Sequence, residues 1–218
     1  MIATSDKSLK KLDLITGEPG PAIFTAPVSI DKVKTDRRDQ FACCKLERKI
    51  TRVDLQNGES NVMKEVAKGN MIYDFQVGHL PAINGDILII SADRDEGLFI
   101  YKLEDMKELF KKKWGAKEDL FSQAVVQRLN YVISGCISGL IRIIDCKAPE
   151  SADFLKAGDK DDNKGEDETD VVIDTVKLDS AVRCMAVSHG PIPDMIRTTI
   201  NWKKNEVSGI YEYNLVND

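Results

Sequence analysis

Two charged runs and two histidines are the parts of this chain whose residue types could do chemistry. The first run, Asp159 to Asp170, reads DKDDNKGEDETD. It places Asp159, Asp161, Asn163 and Asp170 at positions 1, 3, 5 and 12 of a calcium-loop template, and hard cations want closely spaced oxygens of that kind. The fit is incomplete, because Gly165 falls one place late and Asp170 is shorter than the Glu that such a loop ends on. The preferred reading is an acidic insertion (157–170) without fixed structure, since charge-dense segments bury too little apolar surface to order themselves.

The second run gathers Lys107, Lys111, Lys112, Lys113, Trp114 and Lys117. Cations with one aromatic could grip phosphates and stack a base. They could equally form the wet face of an ordinary helix, and charge runs are usually solvated faces. His79 and His189 both stand beside Gly or Pro, with no neighbouring Cys or Asp in a nucleophile–base pattern. No Gly-rich phosphate loop, paired zinc ligands or nucleophile elbow is written in the chain. These absences argue against an enzyme and call for no cofactor and no small-molecule ligand.

The composition is that of an ordinary folded protein. The 218 residues are 42% hydrophobic and 31% charged, with a net charge of −5. That balance gives no general attraction to nucleic acid or to anionic membranes. Cys43, Cys44, Cys136, Cys146 and Cys184 make an odd count without close pairing, and read as reduced, mostly buried thiols. No signal peptide opens the chain and no apolar stretch approaches a membrane span. The expected location is cytoplasm or nucleus.

The elements that must position these residues are short strands in pairs. Ile2–Ser5 with Leu9–Leu14, Phe41–Cys44 with Lys49–Leu55, Ile87–Ala92 with Leu98–Leu103, Tyr131–Gly135 with Leu140–Cys146, and Arg197–Trp202 with Gly209–Leu215 read as five hairpins. Thr16 to Pro21 reads as a break. Further strands are expected at Ile30–Val33, Met71–Val77, Phe121–Val126 and Ala181–Val187. Leu103 to Lys117 is expected to hold one or two helical turns, from the spacing of Met106, Leu109 and Phe110.

The second strand of each pair closes on a similar tripeptide: Leu12-Asp13-Leu14, Val53-Asp54-Leu55, Tyr101-Lys102-Leu103, Ile144-Asp145-Cys146 and Tyr213-Asn214-Leu215. Successive intervals are 41, 48, 43 and 69 residues, and the acidic insertion accounts for 14 of the last. A repeat of that length, with three or four strands per unit, announces a β-propeller. The expected fold is all-β, about five blades of four-stranded antiparallel sheet in one domain over 1–218, forming a partial ring.

The hairpins resemble WD-repeat blades. The closest match runs from Ile133 to Asp145 (ISGCISGLIRIID), with Ile144 where that family has Trp, followed by Ser5 to Leu14. No Trp-Asp pair occurs, and the family's Gly-His pair appears once, as Gly78-His79, apparently after a strand. The hairpin order and the run Ala181 to Gly190 also resemble nucleolar WD-repeat proteins linked to ribosome assembly. The resemblance implies a non-catalytic scaffold that holds other proteins, in a ribonucleoprotein or ribosome-assembly complex, with RNA contact through Lys107–Lys117, or an enzyme using the propeller channel, as alternatives. Loops on rigid scaffolds carry recognition, and Arg favours interfaces. The candidate contacts are therefore Arg37, Arg38, Arg94 and Arg183, with Lys111, Lys112, Lys113 and Trp114. The loops 35–40 and 93–97 and the segments around His79 and His189 would carry them.

Overall fold

The computed structural model describes residues 1–92, 97–113, 120–149, 151, 172–179, 181–188, 195–200 and 209–214. For 121, 183, 184, 186–188, 195–200 and 209–214 it describes the backbone alone. The described chain is all-β apart from two single 3₁₀ turns, and its strands make five antiparallel sheets of propeller-blade type. It divides into two compact units, Met1–Ile72 and Tyr73–Asp218.

The first unit holds two sheets. One is made of β1 (Ile2–Ala3), β2 (Ser8–Leu12) and β3 (Pro19–Thr25). The other is made of β4 (Lys32–Thr35), β5 (Phe41–Leu46), β6 (Lys49–Asp54) and β7 (Ser60–Glu65). Strand order follows chain order, so each neighbour is reached by a short turn. Leu9 and Ala26 pack with Ala42, Cys44, Leu46, Val53 and Leu55 in one buried cluster. The central strands β5 and β6 are mostly buried, whereas β7 is largely exposed and polar. Charged outer strands of this kind discourage edge-to-edge pairing.

The second unit repeats the plan. β8 (Ile72–Leu80), which begins at the boundary, pairs in order with β9 (Gly85–Ala92), β10 (Leu98–Lys102) and β11 (Glu108–Lys112). β12 (Leu120–Val126), β13 (Tyr131–Cys136), β14 (Leu140–Asp145) and β15 (Val172–Lys177) form the next sheet. β16 (Val182–Ser188), β17 (Met195–Ile200) and β18 (Gly209–Asn214) form the last. The run Ile87–Ile90 is wholly buried, as a continuous β-branched and Leu stretch demands. Ile87, Ile89, Leu98 and Ile100 meet Val125, Val132 and Ile144 in one core. Ala124, Val126, Ile133, Ile141 and Ile143 meet Val182 and Met185 in another. Close approach there uses glycine: a Cβ on Gly78 would stand 2.5 Å from the Val125 side chain.

The five expected hairpins and the four preceding strands are all present. Two expectations are corrected. Residues 103–117 hold no helix in their described part. Met106 takes a left-handed φ of 61°, the Lys102 N–H donates to the Lys107 carbonyl at 2.8 Å, and Glu108–Lys112 returns as β11 against β10. Pairing with a buried strand outweighs the weak helical spacing of three apolar residues. Thr16 to Pro21 is not simply a break either. The turn ends at Gly17, and Pro19 opens β3. Proline is tolerated there because β3 is an edge strand, bulged against β2.

Candidate functional site

The turns that join the first and second strands of three sheets share one construction. In the first unit Asp36 is buried, and its Oδ1 accepts from the N–H groups of Gln40 at 2.7 Å and Phe41 at 3.0 Å. Asp39 turns the chain with a φ of 52°. In the second unit Pro81–Ile83 and Gln127–Leu129 are 3₁₀ turns, each ended by a left-handed asparagine, Asn84 at φ 46° and Asn130 at φ 57°. Short polar side chains are the ones that accept this backbone readily. The Asn130 side chain reaches the neighbouring turn, where its Oδ1 accepts from the Ala82 N–H at 2.8 Å.

Each of these turns is also tied to the exit of the third strand of its own sheet. The amides of Leu55, Leu103 and Cys146 donate to the carbonyls of Gln40, Asp86 and Asn130, at 2.9, 2.8 and 2.8 Å. Three of the five recurring tripeptides end on this bond. A tripeptide's middle aspartate caps the next turn: Asp13 Oδ1 accepts from Ile15 and Thr16, Asp54 Oδ1 from Gln56 and Asn57, and Asp145 Oδ1 from Lys147. The amides beside Asp13 hold its carboxyl below the ordinary carboxylate range.

In the first unit Arg37 and Arg38, both exposed, stand at the tip of the β4–β5 turn; in the second, exposed Arg128 stands in the turn between β12 and β13. Arg52 lies over the Phe41 ring at 4.5 Å from its centroid, beneath that first turn. Lys111 and Lys113 are exposed at the end of β11, but Lys112 between them is 1% exposed. The three lysines therefore do not form one surface patch, since successive strand residues point to opposite faces. Lys111 lies 5.8 Å from the Phe99 ring centroid. Arg183 is in β16, described by its backbone alone. Arg94, Trp114, the segment around His189 and the calcium-template residues Asp159, Asp161, Asn163 and Asp170 lie outside the described residues.

His79 is corrected from a surface turn to the buried end of β8, 7% exposed, with Nδ1 at 2.8 Å from Asp86 Oδ1. Gly78-His79 is thus inside a strand. Cys43, Cys44, Cys136 and Cys146 are buried free thiols. Burial pushes Cys44 and Cys146 up to about 12 and raises Cys43 as well, so these thiols are poor nucleophiles at neutral pH. Among the described residues no group of three or more His, Cys, Asp and Glu could hold a metal ion. No helix among them is long and apolar enough to cross a membrane.

Asp39, Asn84 and Asn130, the left-handed residues of the three turns, escaped the sequence reading as a set. Asn84-Gly85 carried a turn signal, but the shared i to i−3 bond of the three, to Asp36, Pro81 and Gln127, shows only in the structure.

No family model matches the chain. No curated protein matches it either. Among solved structures, a chain in a crystal structure of the Mitotic Checkpoint Complex is similar over 86% of this chain, with a TM-score of 0.54 and 16% identity. This chain spans 53% of that neighbour's length. In all, 555 chains of solved structures are similar, so the likeness is to a widespread architecture and selects no partner. It agrees with the sheets in showing the fold: an all-β chain of β-propeller blades.

Proposed function

We propose that this chain is a degenerate WD-repeat propeller domain that serves as a non-catalytic scaffold for other proteins, in the cytoplasm or nucleus. The observation that carries the reading is the shared build of the three turns. Each is locked by a left-handed residue and bonded back to its own sheet, so exposed side chains at the tips are held ready for a partner. Preorganised loops of that kind suit recognition. The solved neighbour's title names a multi-protein complex, and protein partners are the corresponding proposal for this chain.

The finer reading, a ribonucleoprotein or ribosome-assembly complex, is supported by the resemblance of the run from Ala181 to Gly190. Direct RNA contact has less support, because Lys112 is turned into the core and leaves Lys111 and Lys113 as separate charges. The acidic insertion is read as a solvated appendage of the same domain.

The test is a charge reversal on the turn of the first unit. Arg37→Glu with Arg38→Glu should leave the thermal midpoint unchanged, since both side chains are exposed, and should cut recovery of captured partner proteins at least tenfold. Unchanged recovery from a fully folded double variant would remove this turn from the interface. Captured complexes whose yield falls steeply with salt and with ribonuclease would favour the RNA reading.

A further inference from the structure

The seam between the sheets β8–β11 and β12–β15 is closed by aliphatic side chains, with Ile89 and Leu98 meeting Val125 and Val132. At one level it turns polar. Gln123 is 3% exposed and Ser134 is 1% exposed. The two stand directly opposite in the β12–β13 register, so they share a face of the sheet. Val125 and Val132, two residues along from each, put that face in this seam. Ala124 and Ile133, between them, turn to the opposite side and join the core around Val182.

Gln76 comes to the same level from the facing sheet. β8 and β12 end side by side, since the Ala82 N–H just past β8 donates to the Asn130 side chain just past β12. Further back, Gly78 lies against Val125. Two residues back again, on the same faces, are Gln76 and Gln123. A relay marks the level independently. The Gln123 side-chain N–H donates to Ser91 Oγ, and that hydroxyl donates to the Asp74 carbonyl at 3.2 Å. The relay also fixes the direction of the Gln123 amide. Turned over, it would draw the Ser91 proton to its own oxygen and leave the Asp74 carbonyl without that donor.

Three buried polar atoms at this level have no hydrogen-bond partner in the protein: Gln76 Oε1, Gln123 Oε1 and Ser134 Oγ. Buried polar groups in folded proteins are nearly always bonded, so a group of orphans calls for a shared ligand. Their chemistry says which kind. Two amide oxygens each want a donated proton, and a serine hydroxyl has one proton to give. An anion would be repelled by the two oxygens. Water matches the set, with two protons to give and a lone pair to accept, and three bonds are typical of an internal water. We infer that this seam is a binding site for one ordered water, which donates to Gln76 Oε1 and Gln123 Oε1 and accepts from the Ser134 hydroxyl. The water bridges β8 of one sheet to β12 and β13 of the next. It stands apart from the scaffold reading, because it uses none of the residues at the turn tips.

The test counts internal waters in the whole protein by oxygen-17 relaxation dispersion. At about one buried water per 27 residues, a chain of 218 residues holds about eight. Gln76→Met with Gln123→Met removes both acceptors at nearly constant volume, the kind of swap that packing tolerates best. The dispersion amplitude should fall by roughly one part in eight, and Gln56→Met, on the surface, should leave it unchanged. An undiminished amplitude in the folded double variant overturns the inference. If the double variant does not fold, the wild-type protein decides. The Gln123 side-chain amide protons should then show cross-relaxation with water, carrying the sign of a slowly exchanging molecule, and a missing cross-peak overturns the inference. So does a melting temperature raised by sodium or potassium chloride over equal choline chloride and no longer raised in Gln123→Met, because it would assign the three oxygens to a cation.

Discussion

Gly58 joins two demands in the first unit. Its φ of 76° is one that L side chains rarely adopt, and a Cβ placed there would stand 2.4 Å from the Ile23 carbonyl of the neighbouring sheet. Gly58→Ala should therefore destabilise the protein by about 1–3 kcal/mol, from backbone strain and the clash together. Urea unfolding measures it, and Gly17→Ala is the control: the same φ but nothing within 4 Å of the added carbon, so a smaller loss is expected. The buried thiols give a second check. Cys43, Cys44, Cys136 and Cys146 should resist iodoacetamide at pH 8 in the folded protein and react once it is denatured. Asp6 and Asp13 give a third. Asp6 accepts from Lys10, Ser8 and Thr4, which hold its carboxyl well below the ordinary range, and Asp13 is lowered by the amides of Ile15 and Thr16. A depressed folded value means the contribution is whole above the unfolded carboxylate pKa, near 3.9, and is lost as pH falls through the folded one. Thermal midpoints should fall as pH drops below about 4, and more shallowly in Asp13→Asn.

At the scale of elements, the turn pairs act as fasteners between neighbouring sheets. Asn130 supplies both a left-handed backbone and the acceptor for Ala82. Asn130→Gly keeps the first and loses the second, so it should cost about 1 kcal/mol, and Asn130→Ala should cost more because it also strains the backbone. The His79–Asp86 pair ties two adjacent strands of one sheet, β8 and β9, and both groups are largely buried. Asp86→Ala should cost about 2–4 kcal/mol by leaving the ring unpartnered. Much of this layer was legible beforehand. Strands such as Ile87–Ala92 declare themselves by continuous apolar runs, and the repeat of Asp13, Asp54 and Asp145 marked the strand exits. Three features were not. Leu109 and Phe110 suggested a helix because spacing over so few residues does not distinguish the two periods, and only the partner strand β10 decides. Lys112 read as surface because charge alone does not say which face of a strand a residue takes. The His79–Asp86 pair was hidden because it spans a turn whose position the sequence left ambiguous.

At the scale of the molecule, five sheets use one wiring plan, in which each strand pairs with the next in sequence. β14 and β15 keep this pairing, from Leu140↔Lys177 to Ile144↔Val172, although residues 146–171 intervene where the sister sheet of the first unit needs only 55–59. Removing residues 157–170 should leave the β-type circular dichroism intact and the stability unchanged or higher by about 0.6 kcal/mol, the closure entropy of roughly halving a loop. Calcium added to the intact protein should leave the melting temperature where it was; a rise would reinstate the oxygen-rich run as a cation loop.

The tolerance of the β14–β15 junction has a practical side. The ends of that connection are clasped by strand pairing and by Asp145 accepting from Lys147, so the sheet should tolerate changes between them. Foreign sequence, such as an epitope, a fluorophore-labelling tag or a protease site, could be spliced there and carried as cargo. The Leu12–Glu18 and Val53–Glu59 tips, each held by five mutual bonds of its own residues' making, would not accept such a passenger without first being dismantled.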